Sequence, residues 1–506
     1  MRVISLSELG FPTSAEHSNV ITTQESIPSS LIRAVKELAD SQDALSKRSY
    51  FLLKVLAILP HGESLERLKR IDHRFPIWAQ NAEDLLDRDL IQVRLSTTLI
   101  GIEDGQQDRM RILVAPRPVR DYVLSKMSEK EVSSIVRKAV SLYFGDNWHL
   151  GNAALQKLGG TLTSDDGSLL ENPHTLVLRL LDQNSIWETP ETSTSVLNLC
   201  RIYSAALLSG KHYRNCAAIC RDVLTIIPKT GFSIHRNALE VILARSLRMA
   251  GEHSEARILL ERLLLLSWPK KNRMNLLLVY ALCLQSLNDP HALTVANEVI
   301  SLDSKSSEGL QAQAIIYEME EDADNSEKLL AIELEARKRG FNTVANNLTL
   351  DRVSETNDAI AKSKLLREVY STATKDGDPY TAARGMVKLC ALTIKESGAL
   401  PNNDLKLLID AYQYFYGQRS DSLFLAAHKT LWDFFESQGD IRNLLSLFRH
   451  SSFIWRLNGK EKLEQLFIKK LVGNARHILS INILTADKNT GYFLIRATNS
   501  TGDSAN

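Results

Sequence analysis

Gly251-Glu252-His253-Ser254-Glu255-Ala256, with Leu260, Leu263-Leu264 and Pro269 behind it, is the stretch on which the fold turns. A glycine closes one apolar-periodic run, a small residue opens the next, and a pair of large aliphatics follows two turns later. That is the pattern of a tight turn between antiparallel helices. The pattern recurs on both sides. Gly210 precedes Cys216, Cys220, Val223-Leu224 and Pro228, and Asn288 precedes Ala292, Ala296, Val299-Ile300 and Leu302. The small anchors Cys216, Ala256 and Ala292 lie 40 and 36 residues apart, a period that belongs to stacked helix pairs. The small residue lets the second helix sit close to the first, and the aliphatic pair fills the gap to the next unit.

Outward from this centre the same alternation continues. Helices are predicted at 308–320, 325–339, 342–353, 357–375, 379–396, 403–417, 420–438, 440–457 and 459–472, joined by short turn-rich loops such as Gly377-Asp378-Pro379 and Gly439-Asp440. The α-solenoid is therefore expected over 173–475. HILSINILT and YFLIRAT flank Asp487-Lys488-Asn489-Thr490-Gly491 and predict a β-hairpin over 476–497, followed by a disordered tail at 498–506.

Towards the N-terminus, residues 1–45 read as a lead-in, with MRVISLSEL as a short strand and Pro28 opening an amphipathic helix that carries Leu31, Ile32, Val35 and Leu38. Residues 46–127 form a unit. Phe51, Leu52, Val55, Leu56 and Leu59 make a core-facing stripe, ESLERLKRI a second helix, and PIWAQNAEDLLDRDL a third that buries Trp78, Leu85 and Leu86. Two strand-like runs, LIQVRLS and RMRILVA, and a closing helix at RPVRDYVLSKM complete it. Three helices, a two-stranded wing and a last helix describe a winged-helix fold. Residues 128–172 supply a helix and a linker around Gly159-Gly160. The fold class is mostly α: a winged-helix domain, then an α-solenoid of helix hairpins, then a small hairpin.

Composition narrows the function. The chain has 506 residues, 61 basic against 60 acidic, so no global field exists to hold a polyanion. Five widely spaced cysteines lack CxxC or Cys/His spacing and read as buried small hydrophobes, which suits reduced thiols in a cytoplasmic setting. No apolar run reaches the roughly 20 residues that span a bilayer, and the N-terminus has no basic start with an apolar core, so no membrane partner and no secretion signal are expected.

The Gly251–Ala256 stretch with its trailing leucines and Pro269 resembles the second half of a tetratricopeptide repeat. Residues 46–127 are similar to the winged-helix domain that follows the nucleotide-binding core in STAND-class NTPases, the relatives of NB-ARC proteins. The similarity is carried by Phe51-Leu-Leu-Lys-Val-Leu-Ala-Ile-Leu-Pro60 with Gly62, Leu85-Leu-Asp-Arg-Asp-Leu-Ile91, Met110-Arg-Ile-Leu-Val114 and Pro118-Val-Arg-Asp-Tyr122. Ile27-Pro28 resembles the family's Gly-Leu-Pro segment, whose proline lies near the adenine. In this class the repeats behind the winged helix commonly serve as the sensor, and many bacterial members act in defence or stress signalling.

The NTPase chemistry itself has no residues here. No G-x-x-x-x-G-K-[ST] loop occurs, and Ser209-Gly210-Lys211-His212 lacks both the upstream glycine and the hydroxyl after lysine. Where the NB-ARC branch carries Met-His-Asp, this sequence has Ala115-Pro116-Arg117. The resemblance thus implies a STAND-type chain without its NTPase core, with a separate NTPase chain as one expected partner.

No nucleophile–base pair, metal-ligand spacing or cofactor loop stands out, so no catalytic residue, cofactor or metal is expected. The leading reading is a protein-binding sensor or regulatory scaffold that takes a protein or peptide in the solenoid groove. Of the late aromatic cluster, Tyr412 and Tyr416 at i, i+4 are the candidates to line that groove. The alternative is a transcription regulator with a DNA-binding winged helix and ligand-sensing repeats. DNA is the weaker partner class: the third helix, Pro76 to Leu90, carries Glu83, Asp84, Asp87 and Asp89 against Arg88 alone, a net charge of 1 − 4 = −3 on the element that would approach phosphates.

Overall fold

The computed structural model describes residues 28–95, 111–150, 168–183, 186–228, 230–320, 325–356, 358–418, 420–457 and 460–473. The expected hairpin at 476–497, the tail at 498–506, the strand in the lead-in, the Gly159-Gly160 linker and the loop around Gly101 to Gly105 lie outside the described residues.

The N-terminal part runs α1 (Ser29–Asp40), α2 (Ala44–Ile58), β1 (Glu63–Ser64), α3 (Leu65–Leu68), α4 (Ala79–Asp87), β2 (Gln92–Leu95), β3 (Arg111–Val114), α5 (Arg117–Lys126) and α6 (Glu129–Phe144). Helix α2 is the hub. Leu52, Leu53, Val55 and Leu56 are fully buried, and α1, α4, α5 and α6 all pack on it. The strands form an antiparallel sheet in the order β1-β3-β2, with Val93 opposite Leu113 and Glu63 opposite Leu113 on the other side.

Three details differ from the sequence reading. The sheet has three strands, because Glu63–Ser64 pairs with β3 and the expected second helix shrinks to the single turn α3. Gly62 makes this route available: its φ is +75°, and a Cβ there would run into Leu113 O and Val114 Cγ2. The third helix starts at Ala79, after Trp78, whose backbone N–H donates to Asn81 Oδ1 at 2.8 Å. Trp78 is not buried but 53% exposed, with Arg48 5.8 Å from its ring centroid.

The solenoid follows: α7 (Ser168–Leu181), α8 (Pro190–Ser209), α9 (Tyr213–Ile226), α10 (Ser233–Ala250), α11 (His253–Leu264), α12 (Lys270–Ser286), α13 (His291–Asp303), α14 (Ser307–Met319), α15 (Asn325–Lys338), α16 (Asn342–Glu355), α17 (Ala359–Lys375), α18 (Pro379–Ser397), α19 (Asn402–Gly417), α20 (Asp421–Ser437), α21 (Ile441–Leu457) and α22 (Glu461–Gly473). From α7 on, consecutive helices pack against one another. The repeat anchors occupy their expected places. Cys216, Ala256 and Ala292 are wholly buried, as are Val223, Leu263 and Val299 from the aliphatic pairs. Gly251 caps α10 in the left-handed conformation, φ +87°, which only glycine adopts cheaply.

The N-terminal unit and the first repeats share one continuous core, running from Val35 to Ile315. A polar network pins the joint. Tyr143 of α6 donates to the buried Glu63 of β1, while Asn172 of α7 donates to Gly62 O at 2.7 Å and Tyr143 Oη at 3.1 Å. A small cluster at Leu310 to Leu348 bridges to a second large core, Leu350 to Leu471, dominated by aromatics. All five cysteines are buried free thiols.

Candidate interaction surface on the inner wall of the repeats

The two sides of the solenoid are not equivalent. Each of α8, α10, α12, α14, α16 and α18 also packs against the helix two places ahead of it. Helices that touch at this spacing lie on the inside of the curve, so from α10 on they form the inner wall and the alternate helices form the outer layer; before that, α7 and α9 touch in the same way and the two sides are not distinguished. The aliphatic faces of the wall helices are consumed between neighbours. Ile234, at the start of α10, is the exception and lies exposed.

Polar groups of the wall are linked from helix to helix. Asn275 of α12 donates to Glu308 of α14 at 3.2 Å, and Gln285 donates to Glu318 at 2.7 Å. Glu318 in turn meets Asp351 of α16. Arg384 of α18 donates to Asn347 of α16 at 2.9 Å, and Arg384 and Lys388 flank Asp351. Glu318 and Lys388 reach solvent. Enclosure pushes the Asp351 carboxyl above its ordinary value against the pull of Arg384 and Lys388. It lowers Lys388, as does the neighbouring Arg384. Charged groups that reach water beside a desolvated carboxyl make this a partly enclosed polar surface.

At one end the wall meets the first repeat. Tyr213, at the start of α9, packs edge-on against Tyr380, at the start of α18, with ring centroids 6.2 Å apart across 167 residues of sequence. Tyr380 also touches Phe415 at 6.1 Å. Lys211 and Arg384 lie 5.7 and 5.8 Å from its ring centroid. Arg248 of α10 faces the same group. Its guanidinium is lowered by burial, feels Tyr213, Tyr380 and Cys283, and has a buried Nε without a hydrogen-bond partner. Two cations thus lie over the Tyr380 ring, each contact worth about 0.5–2 kcal/mol, with Arg248 as a third charge beside the cluster. This seam joins the first repeat to the sixth.

The sequence-based candidates fall elsewhere. Tyr412 does not line a groove: it is wholly buried, its Oη 2.5 Å from His450 Nδ1 and its ring 4.8 Å from Phe424. Tyr416 is half-buried and packs on His450 at 4.9 Å. The i, i+4 spacing put both on the side of α19 that faces α20 and α21, the core side. The wall residues Arg248, Glu318, Asp351, Arg384 and Lys388 were missed because each looks like an ordinary charged helix position. Their common signal is that they sit on the first helix of each repeat, not the second. On α4, Arg88 is occupied by Asp84 at 2.8 Å and Glu37 at 3.5 Å. Among the described residues no group of three or more His, Cys, Asp or Glu side chains is placed to hold a metal ion. None of their helices is long and apolar enough to cross a membrane.

Fold and wall together define a mostly α-helical solenoid of stacked helix hairpins with a small three-stranded sheet near its N-terminal end. No family model matches the sequence, and no curated protein matches it. Among solved structures, one match is a Signal Transduction ATPase with Numerous Domains (STAND) protein with a tetratricopeptide repeat sensor from Pyrococcus horikoshii. It is 12% identical with a TM-score of 0.40, and the alignment covers 93% of this chain. This chain spans 64% of that protein's length.

Proposed function

We propose that this chain is a protein-binding sensor or regulatory module of STAND type. Its repeats grip a protein or peptide along the inner wall. The unit at 46–127, read as a winged helix, relays that event to an NTPase core on a separate chain. The observation that carries this reading is the wall itself: a linked series of charged and amide side chains across α12, α14, α16 and α18, partly enclosed yet reachable by water. A surface of this kind gains from a partner that supplies complementary polar groups and excludes the remaining water. Signalling in defence or stress is the setting that suits a sensor of this class.

The test uses the full chain and the protein it retains from its own cell. Arg245, a charged neighbour of Arg248 on the wall helix α10, and Lys388 are both exposed, so replacing them together by glutamate reverses charge on the wall without touching the aliphatic core. The partner is expected to bind at least about tenfold more weakly, since about 1.4 kcal/mol suffices for that factor. Lys364→Glu, on the outer helix α17, is the control and leaves binding unchanged. Equal affinity of the wall variant and the parent chain would refute the assignment.

A further inference from the structure

A cleft of about 370 Å³ opens between α17, α18 and α19. It opens on the other face of α18 from the inner wall, with Asp378 and Tyr414 as its nearest groups to the Tyr380 cluster. Its residues on α18 are Pro379, Ala382, Ala383 and Met386, whereas the wall uses Tyr380, Arg384 and Lys388. At 100° per residue these two stripes lie on opposite faces of the helix.

The cleft has three chemical features. Its floor is apolar and buried, with Ala382, Ala383 and Met386 each under one-tenth exposed. Its sides include Tyr370 and Tyr414. Its charge comes from Asp378 and Asp410, with no lysine, arginine or histidine among the lining residues. Asp378 is only 7% exposed and is held in place as the cap of α18, accepting from Thr381 N at 3.2 Å and Thr381 Oγ1 at 2.7 Å. Those two bonds leave other acceptor sites on the carboxylate. Asp410 already takes part in another interaction, so Asp378 is the fixed charge and Asp410 the second.

An anion in this cleft meets like charge. A purely apolar group buries the Asp378 carboxylate without a countercharge, which costs energy. A cation on an aliphatic stem meets every feature: the stem lies on the alanines and Met386, the charge faces the tyrosine rings and the carboxylates. We propose that the cleft takes the side chain of an arginine on a partner peptide. Arginine suits it better than lysine, because its planar guanidinium stacks on tyrosine and hydrogen-bonds a carboxylate through two N–H groups. The peptide backbone passes over a rim that is exposed at Thr374 and Pro379 and carries no side chain at Gly377.

The probe is fluorescein-labelled Ala-Leu-Arg-Leu-Ala amide, titrated with the full chain beside the same peptide carrying citrulline, a neutral isostere. The arginine peptide is expected to bind saturably and at least about fivefold tighter than its counterpart, the scale of a desolvated cation–aromatic contact. Asp410→Lys, at an exposed helix position, removes that difference. Tyr370→Ala weakens binding without changing charge. The Arg245→Glu, Lys388→Glu wall variant binds the probe like the parent chain, so failure of the wall assignment and failure of this one are read separately. Equal affinity for the two peptides, no saturable binding of either, or indifference to both cleft variants would overturn the proposal.

Discussion

Acid should loosen the C-terminal repeats through two histidines. His428 is wholly buried among Tyr412, Phe424, Trp432, Trp455 and Phe467, and neither ring nitrogen has a hydrogen-bond partner. Burial chiefly, with His450, Lys470 and Lys429 adding, lowers it to about 3. Burial lowers His450 to about 4. Both values lie below the ordinary 6.5. The unfolded chain therefore takes up protons first as pH falls. The stability held above about 6.5 is lost progressively through 4 and 3. Between about pH 7 and about pH 5 each histidine costs about 2 kcal/mol, from about 1.4 kcal/mol per pH unit, so the pair costs about 4 kcal/mol. Carboxylates held low by hydrogen bonds, such as Glu131 at about 2 beside Lys54, contribute only below the ordinary 4.5 and leave this window clear. His235 and His253 are lowered by burial and act in the same direction, so the difference between variants is the readout. Urea unfolding followed by fluorescence of Trp432 and Trp455 measures it. His428→Phe is expected to raise stability at neutral pH, because two unpaired polar atoms leave the core, and to remove about 2 kcal/mol of the acid loss. A urea midpoint that does not move between the two pH values, or an acid loss as large in His428→Phe as in the parent chain, would refute the reasoning.

Other expectations follow from single contacts. Gly62→Ala forces a side chain into Leu113 O and Val114 at a positive φ, and should cost about 2–4 kcal/mol in urea unfolding. Glu333, 5% exposed at its side chain, accepts from Arg352 Nη1 at 2.6 Å and Arg337 Nε at 3.1 Å. Glu333→Gln removes the countercharge of two half-buried arginines and should cost about 3 kcal/mol by the same assay. Burial raises the thiols of Cys200 and Cys390 to about 12 and Cys283 to about 11. No thiol should react with Ellman's reagent in the native chain and all five should react in urea, a spectrophotometric count.

The helices were legible because their stripes are long and their turns marked. Gly251, Gly398 and Gly439 all cap or follow helices where the breaks were read, and the anchors Cys216, Ala256 and Ala292 are buried as their spacing required. Strand β1 was not legible: two residues give no alternation, and only the geometry at Gly62 makes them pair. Tyr412 and Tyr416 show the limit of periodicity. Spacing tells that two residues share a face, not whether that face meets a neighbouring helix or a partner. The inner wall was out of reach for a related reason. It arises from the curvature of many repeats, and the Tyr213–Tyr380 contact joins positions that no local pattern connects. The cleft at Asp378 hid in a turn, Gly377-Asp378-Pro379, that reads simply as a cap.

The most direct measurement places a benzophenone side chain at Arg245 or Lys388 on the inner wall, and at Ile258 or Leu265 on the outer layer, where the native side chains are 68% and 87% exposed. Each full chain is irradiated with its cellular partner present and the adducts are mapped by mass spectrometry. Adducts with the partner from the wall positions and none from the outer ones are the expected outcome. Adducts from Ile258 and Leu265 alone would contradict it.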